Sequence, residues 1–227
     1  MSDVRAELTR NDMEALFEGV KNWGRWGPDD ERGALNFITD TIRRDAVALV
    51  TEGVSVSCAL DFPTQPAPDN PRPAQHMMVV AGDACTTTGM PGMQSAMDFI
   101  GVAFHGMAVS HIDALCHVFV DEKMYNGFDA SDVKSTGAMR NSIMAGEDGI
   151  SGRGVLLDAP RHRGVPYLGI DEQIGPDELD AMAAAQGVEI REGDILLVST
   201  GRDARRAEKG SWAPMEGLAG LDGHCVQ

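Results

Sequence analysis

The chain has 227 residues and a formal net charge of −16, with 43% hydrophobic and 24% charged residues. This length allows one sizeable core, and the composition is ordinary for a soluble globular protein. The negative charge argues against nucleic acid or an anionic membrane as a partner, because both require a basic surface. No apolar run approaches the roughly 20 residues of a membrane-spanning helix, so we expect no membrane span.

The cysteines Cys58, Cys85, Cys116 and Cys225 are scattered, without a C-x-x-C pair. This is not the pattern of a disulfide framework or of a zinc ribbon, and reduced thiols fit better. Residues 1–7 are charged and lack the apolar segment of a secretory signal. We therefore expect a cytoplasmic protein.

The N-terminal part of the chain predicts two helices. Apolar residues repeat at helical spacing over 11–22, and Asn11 with Glu14 has the pattern of a capping box. A second helix is predicted over 40–52, with Asp40 as its N-cap.

Trp23 and Trp26 lie in the loop between these two helices. Flat aromatic side chains often line pockets for planar molecules, but they also cover hydrophobic cores. Both roles are open for these tryptophans on the residues alone.

The next part of the chain predicts one strand and then irregular structure. Apolar residues alternate over 54–60, which predicts a strand. Five prolines follow within 63–73, which is typical of a loop and is interpreted as a flap over the site. Residues 82–92 are also predicted to be irregular.

The C-terminal half predicts strands and a helix in alternation. Short apolar runs at 155–157 and 195–199 predict buried strands. The helix between them begins near Pro176 and ends at Gly187. Strands that alternate with helices indicate an α/β fold.

The segment 102–120 carries polar side chains inside an apolar run. It holds His105, His111 and His117, and Asp113 follows the middle histidine by two positions. A buried His or Asp must be hydrogen-bonded, paired or bound to a metal, because burying it unsatisfied costs several kcal/mol. This segment is therefore the first candidate for chemistry.

The spacing of these residues can be tested against strand geometry. On a strand, His111 and Asp113 share a face about 6–7 Å apart, so both can bind one metal ion. An imidazole and a carboxylate suit zinc or manganese. His117 is too far along a straight strand to join them, but it can act at the edge of the site as a general acid or base. His105 can share the site only if the chain turns, for which Gly106 is the candidate. On spacing alone, a metal or catalytic site and a set of packed core residues stay equally open.

A family resemblance begins at these residues. The run His-Ile-Asp-Ala-Leu-Cys-His at 111–117 resembles the T-H-x-D-x-x-x-H core of the metal-dependent cyclase family, which includes bacterial kynurenine formamidase and isatin hydrolase. Tyr125-Asn126-Gly127 follows as in the longer members of the family. Residues 23–36 resemble the W-G-x-x-D-x-x-G-x-x-N signature, and 153–158 and 193–198 resemble two later strands. The resemblance covers nearly the whole chain in order.

The resemblance implies a fold, an activity and partners. The implied fold is a mixed β-sheet or partial barrel flanked by helices, of the swivelling β/β/α kind, in a single cyclase-like domain over 1–227. The implied activity is metal-dependent hydrolysis of an amide, formamide or cyclic amide, as in the kynurenine formamidase step of tryptophan catabolism. The implied cofactor is a divalent zinc or manganese ion, and the implied partners are a small-molecule substrate and further copies of the chain in a dimer or tetramer.

The resemblance also implies roles for individual residues. His105, His111 and Asp113 are the expected metal ligands, and His117 is the expected proton shuttle to the leaving nitrogen. The family usually has its first ligand where this chain has Met107, whose thioether suits neither zinc nor manganese, so His105 is expected to take that role. The expected substrate-binding residues are Trp23, Trp26, Tyr125 and Asn126.

Two alternatives stay open. The family adds a later His and Glu to the metal site, and we expect this chain to be C-terminally incomplete, so it can be an inactive metal- or ligand-binding relative. The other alternative is a cysteine-dependent hydrolase that uses Cys116 and His117. Neighbouring residues on a strand face opposite ways, so a packed structural Cys116 is favoured over a nucleophile.

Overall fold

The computed structural model of the protein describes residues 8–84 and 92–226. Most of the stretch predicted as irregular, including Cys85, and the N-terminal residues 1–7 lie outside the described residues. The described chain divides into two compact units, the first made of 8–54, 113–205 and 218–226 and the second of 55–84, 92–112 and 206–217. The single cyclase-like domain predicted over 1–227 stays a prediction.

The secondary structure is mixed α and β. The helices are α1 (Arg10–Val20), α2 (Asp40–Val47), α3 (Ala159–Arg163), α4 (Pro176–Gln186) and α5 (Arg202–Lys209). The strands are β1 (Gln75–Val80), β2 (Met97–Gly101), β3 (Val133–Lys134), β4 (Gly137–Ala138), β5 (Gly154–Asp158), β6 (Gln173–Ile174), β7 (Ile195–Ser199) and β8 (Gly220–Leu221). They pair two by two, as β1–β2, β3–β4, β5–β7 and β6–β8. The α/β class is confirmed, whereas no sheet closes within the described residues and the partial barrel is not confirmed.

The two predicted N-terminal helices are present, but both predicted N-caps are wrong. Asn11 and Asp40 lie inside α1 and α2 rather than before them. Threonines cap both helices instead: the Thr9 hydroxyl accepts from the Asp12 backbone N–H, and the Thr39 hydroxyl accepts from the Ile42 backbone N–H. The second helix also ends at Val47, earlier than predicted. None of the described helices has the length and hydropathy needed to cross a bilayer.

The core of the first unit lies beside the parallel pair β5–β7. Its buried members are Val155, Leu157, Ala159, Leu168, Ile174 and Met182. Helix α4 packs against β5 and ends at Gly187, in the left-handed conformation with φ 66°, as predicted. Both predicted strands are present, but their predicted burial is wrong in part. Leu156 is 53% exposed, so β5 buries only one face, and none of the β7 residues is buried, with Leu197 50% exposed. The Arg153 Nε donates to Asp194 Oδ1 at 2.8 Å, which joins the two segments just before β5 and β7.

The second unit contains a strand pair that the sequence pattern did not predict. β1 and β2 are antiparallel, and β1 begins directly after the proline-rich loop. The strand predicted over 54–60 is wrong, because these residues form no strand and Val56 is 80% exposed. Alternating apolar residues make a strand only where a neighbouring strand accepts their backbone hydrogen bonds, and here none of the described strands does.

Hydrogen bonds of two buried residues stabilise the middle of the proline-rich loop. The buried Asn70 donates its side-chain amide to the carbonyl oxygens of Pro63 at 3.1 Å and Gln65 at 2.8 Å. The neighbouring Asp69, also buried, accepts a hydrogen bond from Arg206 Nε at 2.8 Å. The loop is confirmed, and its action as a flap stays a prediction.

Candidate metal centre

Three of the predicted ligands come together in the segment that follows β2. One ligand atom from each of His105, His111 and Asp113 lies within 4.8 Å of the others, and all three residues are exposed. The segment is not the strand assumed from the sequence, because residues 105–109 bend and 111–114 have no regular structure. The three side chains therefore converge because the chain turns, and not because alternate residues of a strand share a face.

Gly106 provides that turn. Its φ of +141° lies in a region that side chains with a Cβ rarely adopt. The His105 and His111 rings end up with their centroids 5.2 Å apart. A straight strand would separate these residues by about 20 Å, so the turn decides whether His105 can reach the cluster.

A backbone contact determines which nitrogen of His111 can bind a metal. Its Nδ1 lies 2.8 Å from the carbonyl oxygen of Val109. A carbonyl oxygen only accepts, so Nδ1 carries the proton in this hydrogen bond and Nε2 keeps the lone pair that a metal requires. Metal-bound histidines are commonly oriented by this kind of contact.

The three side chains fit a divalent metal ion. Two imidazoles and a carboxylate are ligands that both zinc and manganese accept. Bonds of about 2.0–2.2 Å place ligand atoms on one ion roughly 3–4 Å apart. The separations in the cluster are within reach of that range through small side-chain rotations. The donor set does not distinguish zinc from manganese.

His117 lies next to the predicted ligand Asp113. A 3₁₀ turn over Leu115–His117 brings its Nδ1 to 3.3 Å from Asp113 Oδ1. The turn is anchored where the Cys116 backbone N–H donates to the carbonyl oxygen of Asn141 at 3.0 Å. The chain therefore bends after Asp113 and brings His117 to the edge of the cluster, as expected. The catalytic role of His117 stays a prediction.

Cys116 has the properties of a structural thiol. Its side chain is buried, with 4% of its surface exposed. Burial raises the pKa of the Cys116 thiol, which lowers the fraction of the reactive thiolate. These observations argue against the cysteine-dependent alternative.

The predicted substrate-binding residue Asn126 holds the loop that carries Trp23 and Trp26, here called the tryptophan-glycine loop (residues 23–36). Its amide nitrogen donates to the carbonyl oxygens of Gly27, Pro28 and Asp30 at 3.0–3.1 Å, and its oxygen accepts from the Gly24 N–H at 2.7 Å. Asn126 adopts a left-handed conformation, with φ 62°, which asparagine tolerates better than most residues. Its contact with substrate stays a prediction.

Tyr125 joins the same loop through Asp30. Its hydroxyl donates to Asp30 Oδ2 at 2.8 Å. Burial raises the pKa of the Tyr125 phenol, and the hydrogen bond to the Asp30 carboxylate raises it further. Burial also raises the pKa of Asp30, but hydrogen bonds from Asn36, Tyr125 and the Gly33 backbone outweigh it and leave that pKa below its usual value.

The two tryptophans pack against aromatic neighbours. Trp23 meets Phe17 edge-on with ring centroids 6.0 Å apart, and Trp26 meets Phe37 in the same way at 5.1 Å. Arg25 stacks over the Trp26 ring. Substrate contact by Trp23, Trp26 and Tyr125 stays a prediction.

Gly33 and Asn141 support the site, although the sequence alone predicted a role for neither. A Cβ at Gly33 would lie 3.1 Å from Leu115 Cδ1, so the tryptophan-glycine loop packs directly on the turn that carries His117. Asn141 is fully buried and donates its side-chain amide to the Tyr125 carbonyl oxygen. The spacing of the glycine within the loop signature was a signal for Gly33, whereas nothing local marked Asn141.

Comparison with known proteins agrees with this arrangement. Residues 39–227 match the sequence model of the Cyclase family, described as "Putative cyclase". The chain belongs to the Cyclase family. A crystal structure described as a novel cyclase is similar in fold, with a TM-score of 0.76 and 27% identity over 90% of this chain and 72% of that chain. No curated protein sequence matches the chain. The match to the Cyclase family confirms the resemblance inferred from the histidine segment.

Proposed function

We propose that the protein is a metal-dependent hydrolase that cleaves the C–N bond of an amide, formamide or cyclic amide. The observation that carries the proposal is the convergence of His105, His111 and Asp113 within 4.8 Å. This convergence and membership of the Cyclase family favour an enzyme over an inactive metal-binding relative.

The three residues would hold one zinc or manganese ion. A divalent ion bound there supplies a Lewis acid and lowers the pKa of water toward neutrality. His111 binds through Nε2, because Nδ1 is engaged by the Val109 carbonyl oxygen at 2.8 Å. Asp113 has two tasks, since its carboxylate also contacts His117.

We assign the proton transfer to His117. In the hydrolysis a water oxygen bonds to the carbonyl carbon, the C–N bond breaks, and the departing nitrogen gains a proton. The contact of Nδ1 with Asp113 orients the His117 ring, so Nε2 is the atom that carries the proton to the departing nitrogen. In other enzymes, too, a carboxylate holds a catalytic imidazole in one orientation, as Asp113 would hold His117 here.

The first experiment measures bound metal and hydrolysis in the same samples. We expect one equivalent of zinc or manganese in the wild-type protein and hydrolysis of N-formylkynurenine, the formamide that the family resemblance suggests. His111→Ala and Asp113→Ala should lose both metal and turnover. His117→Ala should keep the metal and lose turnover by about 100-fold or more, the size expected for removal of a general acid.

The control is His162→Ala, which removes an exposed histidine of α3 outside the cluster. It should keep both metal and activity. Equal metal loss in His117→Ala and His111→Ala would contradict the separate role of His117. A wild-type protein that binds no divalent metal would refute the proposal.

We also propose that the protein is a cytoplasmic homo-oligomer, a dimer or tetramer. The support is an apolar strand pair in the second unit, where Met77, Val79, Phe99 and Ile100 are each about half exposed. Exposed apolar surface of this kind commonly marks a contact between chains. Light scattering after size-exclusion chromatography tests this, and a monomer at all concentrations would reject it.

A further inference from the structure

A cavity of about 260 Å³ lies within the second unit. It is lined by the segment 103–109, which carries His105, by residues 68–72 of the proline-rich loop, and by Pro214. His105 also belongs to the cluster of candidate metal ligands. The cavity therefore has His105 in common with the site at which we propose that hydrolysis occurs.

The loop wall of this cavity is held in place by buried contacts. Asn70 is 4% exposed and donates two hydrogen bonds to backbone carbonyls of its own loop. Asp69 is buried and pairs with Arg206 at 2.8 Å. These contacts fix the backbone two residues before Arg72, and a binding site requires support of this kind.

Arg72 follows Asn70 by two positions, and it places an uncompensated charge on the cavity lining. Of the lining residues that can be charged, Asp69 is neutralised by Arg206, and His105 faces the ligand cluster. Arg72 is exposed and makes no hydrogen bond or ion pair with any residue in the described ranges 8–84 and 92–226. The rest of the lining is mostly apolar and includes Phe104, Met107 and Val109.

We propose that Arg72 binds a carboxylate group of the substrate, so that the enzyme selects amides that carry an acidic group. This inference rests on the proposed hydrolase function. A guanidinium group offers two parallel N–H donors that match the two oxygens of a carboxylate. The apolar residues of the same lining suit the hydrocarbon part of such a molecule. One guanidinium suits a single negative charge, whereas a phosphate dianion would need further donors.

The overall charge makes this local contact necessary. With a net charge of −16 the protein offers an anionic substrate no long-range attraction. Interactions between exposed charges are largely screened beyond about 8 Å at physiological salt. Recognition of a carboxylate must then come from a cation that touches it, and the effect should appear in KM rather than in kcat.

The test compares two formamides that differ only in the carboxylate, 2-formamidobenzoate and formanilide. Arg72→Gln should raise KM for 2-formamidobenzoate about tenfold or more and leave KM for formanilide unchanged, since charge-assisted hydrogen bonds are the stronger ones. The matched control is Lys134→Gln, which removes one positive charge from an exposed position on β3. An unchanged KM for 2-formamidobenzoate in Arg72→Gln, or an equal rise for both formamides, would overturn the proposal.

A binding measurement separates this inference from the proposed function. Benzoate binding by calorimetry should be about tenfold weaker in Arg72→Gln than in the wild-type protein and in Lys134→Gln. Equal affinity in all three, or no binding to the wild-type protein, would overturn the carboxylate site. If neither formamide is hydrolysed but benzoate binding still depends on Arg72, the carboxylate site stands and the proposed hydrolase function fails.

Discussion

His105 and His111 face one another with ring centroids 5.2 Å apart, on either side of a turn at Gly106. The two imidazoles can serve one metal ion only because the chain reverses between them. A nearby position, Met107, carries a thioether and lines the cavity. The geometry therefore supports His105 as the third ligand.

Gly106→Ala should weaken metal binding. The φ of +141° is strained for any residue with a Cβ, at a cost of order 1–3 kcal/mol, and moving His105 out of the cluster relieves that strain. We expect metal affinity, measured by competition with a chelator, to fall about tenfold or more. Gly19→Ala is the control, because Gly19 lies in α1 with open space around its Cα, and it should leave the affinity unchanged. Undiminished affinity in Gly106→Ala would show that the turn does not position His105.

Asp194→Asn should destabilise the protein and reduce its sensitivity to acid. Arg153 donates to Asp194 and, as the main cause, holds the pKa of that carboxyl below its usual value. We expect the free energy of unfolding at pH 7, measured with urea, to fall by about 1–2 kcal/mol.

The pH dependence of this loss follows from the direction of the pKa shift. A lowered pKa in the folded state contributes stability above the unfolded-state value near pH 4, and that stability is lost as the pH falls through the folded-state pKa. The difference between wild type and Asp194→Asn should therefore shrink as the pH is lowered from 5 to 3. A difference that stays constant over this range would contradict an ionic role for Asp194.

Tyr125→Phe should destabilise the tryptophan-glycine loop. It removes the hydroxyl that donates to Asp30 at 2.8 Å, which should cost about 1–2 kcal/mol in the free energy of unfolding at pH 7. The control is Tyr167→Phe, because the Tyr167 hydroxyl makes no hydrogen bond with any residue that the structure describes.

The same variant tests the alkaline side of the pH profile. The pKa of Tyr125 is raised in the folded protein, so its contribution is complete below the unfolded-state value near pH 10 and is lost as the pH rises beyond it. The wild type should lose stability from pH 9 to 11 more steeply than Tyr125→Phe. Parallel curves would mean that the phenol is not coupled to folding.

Cys116 should resist alkylation in the folded protein. It is buried and has a raised thiol pKa, whereas Cys58 is exposed. With iodoacetamide at pH 8, we expect Cys116 to react about tenfold or more slowly than Cys58, as read from modified peptides by mass spectrometry. In urea the two rates should become similar. Rapid modification of native Cys116 would reopen the cysteine-dependent mechanism.

Local sequence signals predicted several elements of the fold correctly. The helical repeat identified α1, and Pro176 and Gly187 marked both ends of α4. These features depend on neighbours within a few residues, which the sequence displays directly. The N-cap of α1 was harder to predict, because Thr9 and Asn11 are both good capping residues and lie only two positions apart.

Pairing of distant segments was beyond the sequence. The alternating residues at 54–60 predicted a strand, whereas the strand pair formed at β1 and β2. The apolar run at 155–157 predicted a strand buried on both faces, yet Leu156 is exposed. In each case the outcome depends on which segment lies alongside, and periodicity carries no information about that.

The sequence by itself determined the chemistry that the candidate site can offer: two imidazoles, a carboxylate and a third histidine within one short segment. It also marked Gly106 as the place where the chain could turn. Only the tertiary structure decided that the turn occurs, that Asn141 anchors the segment carrying His117, and that Arg72 and His105 line the same cavity. The physical reason is the distance along the chain over which each property is determined. Residue type sets what a side chain can bind, whereas contacts between segments distant in sequence set where that side chain lies.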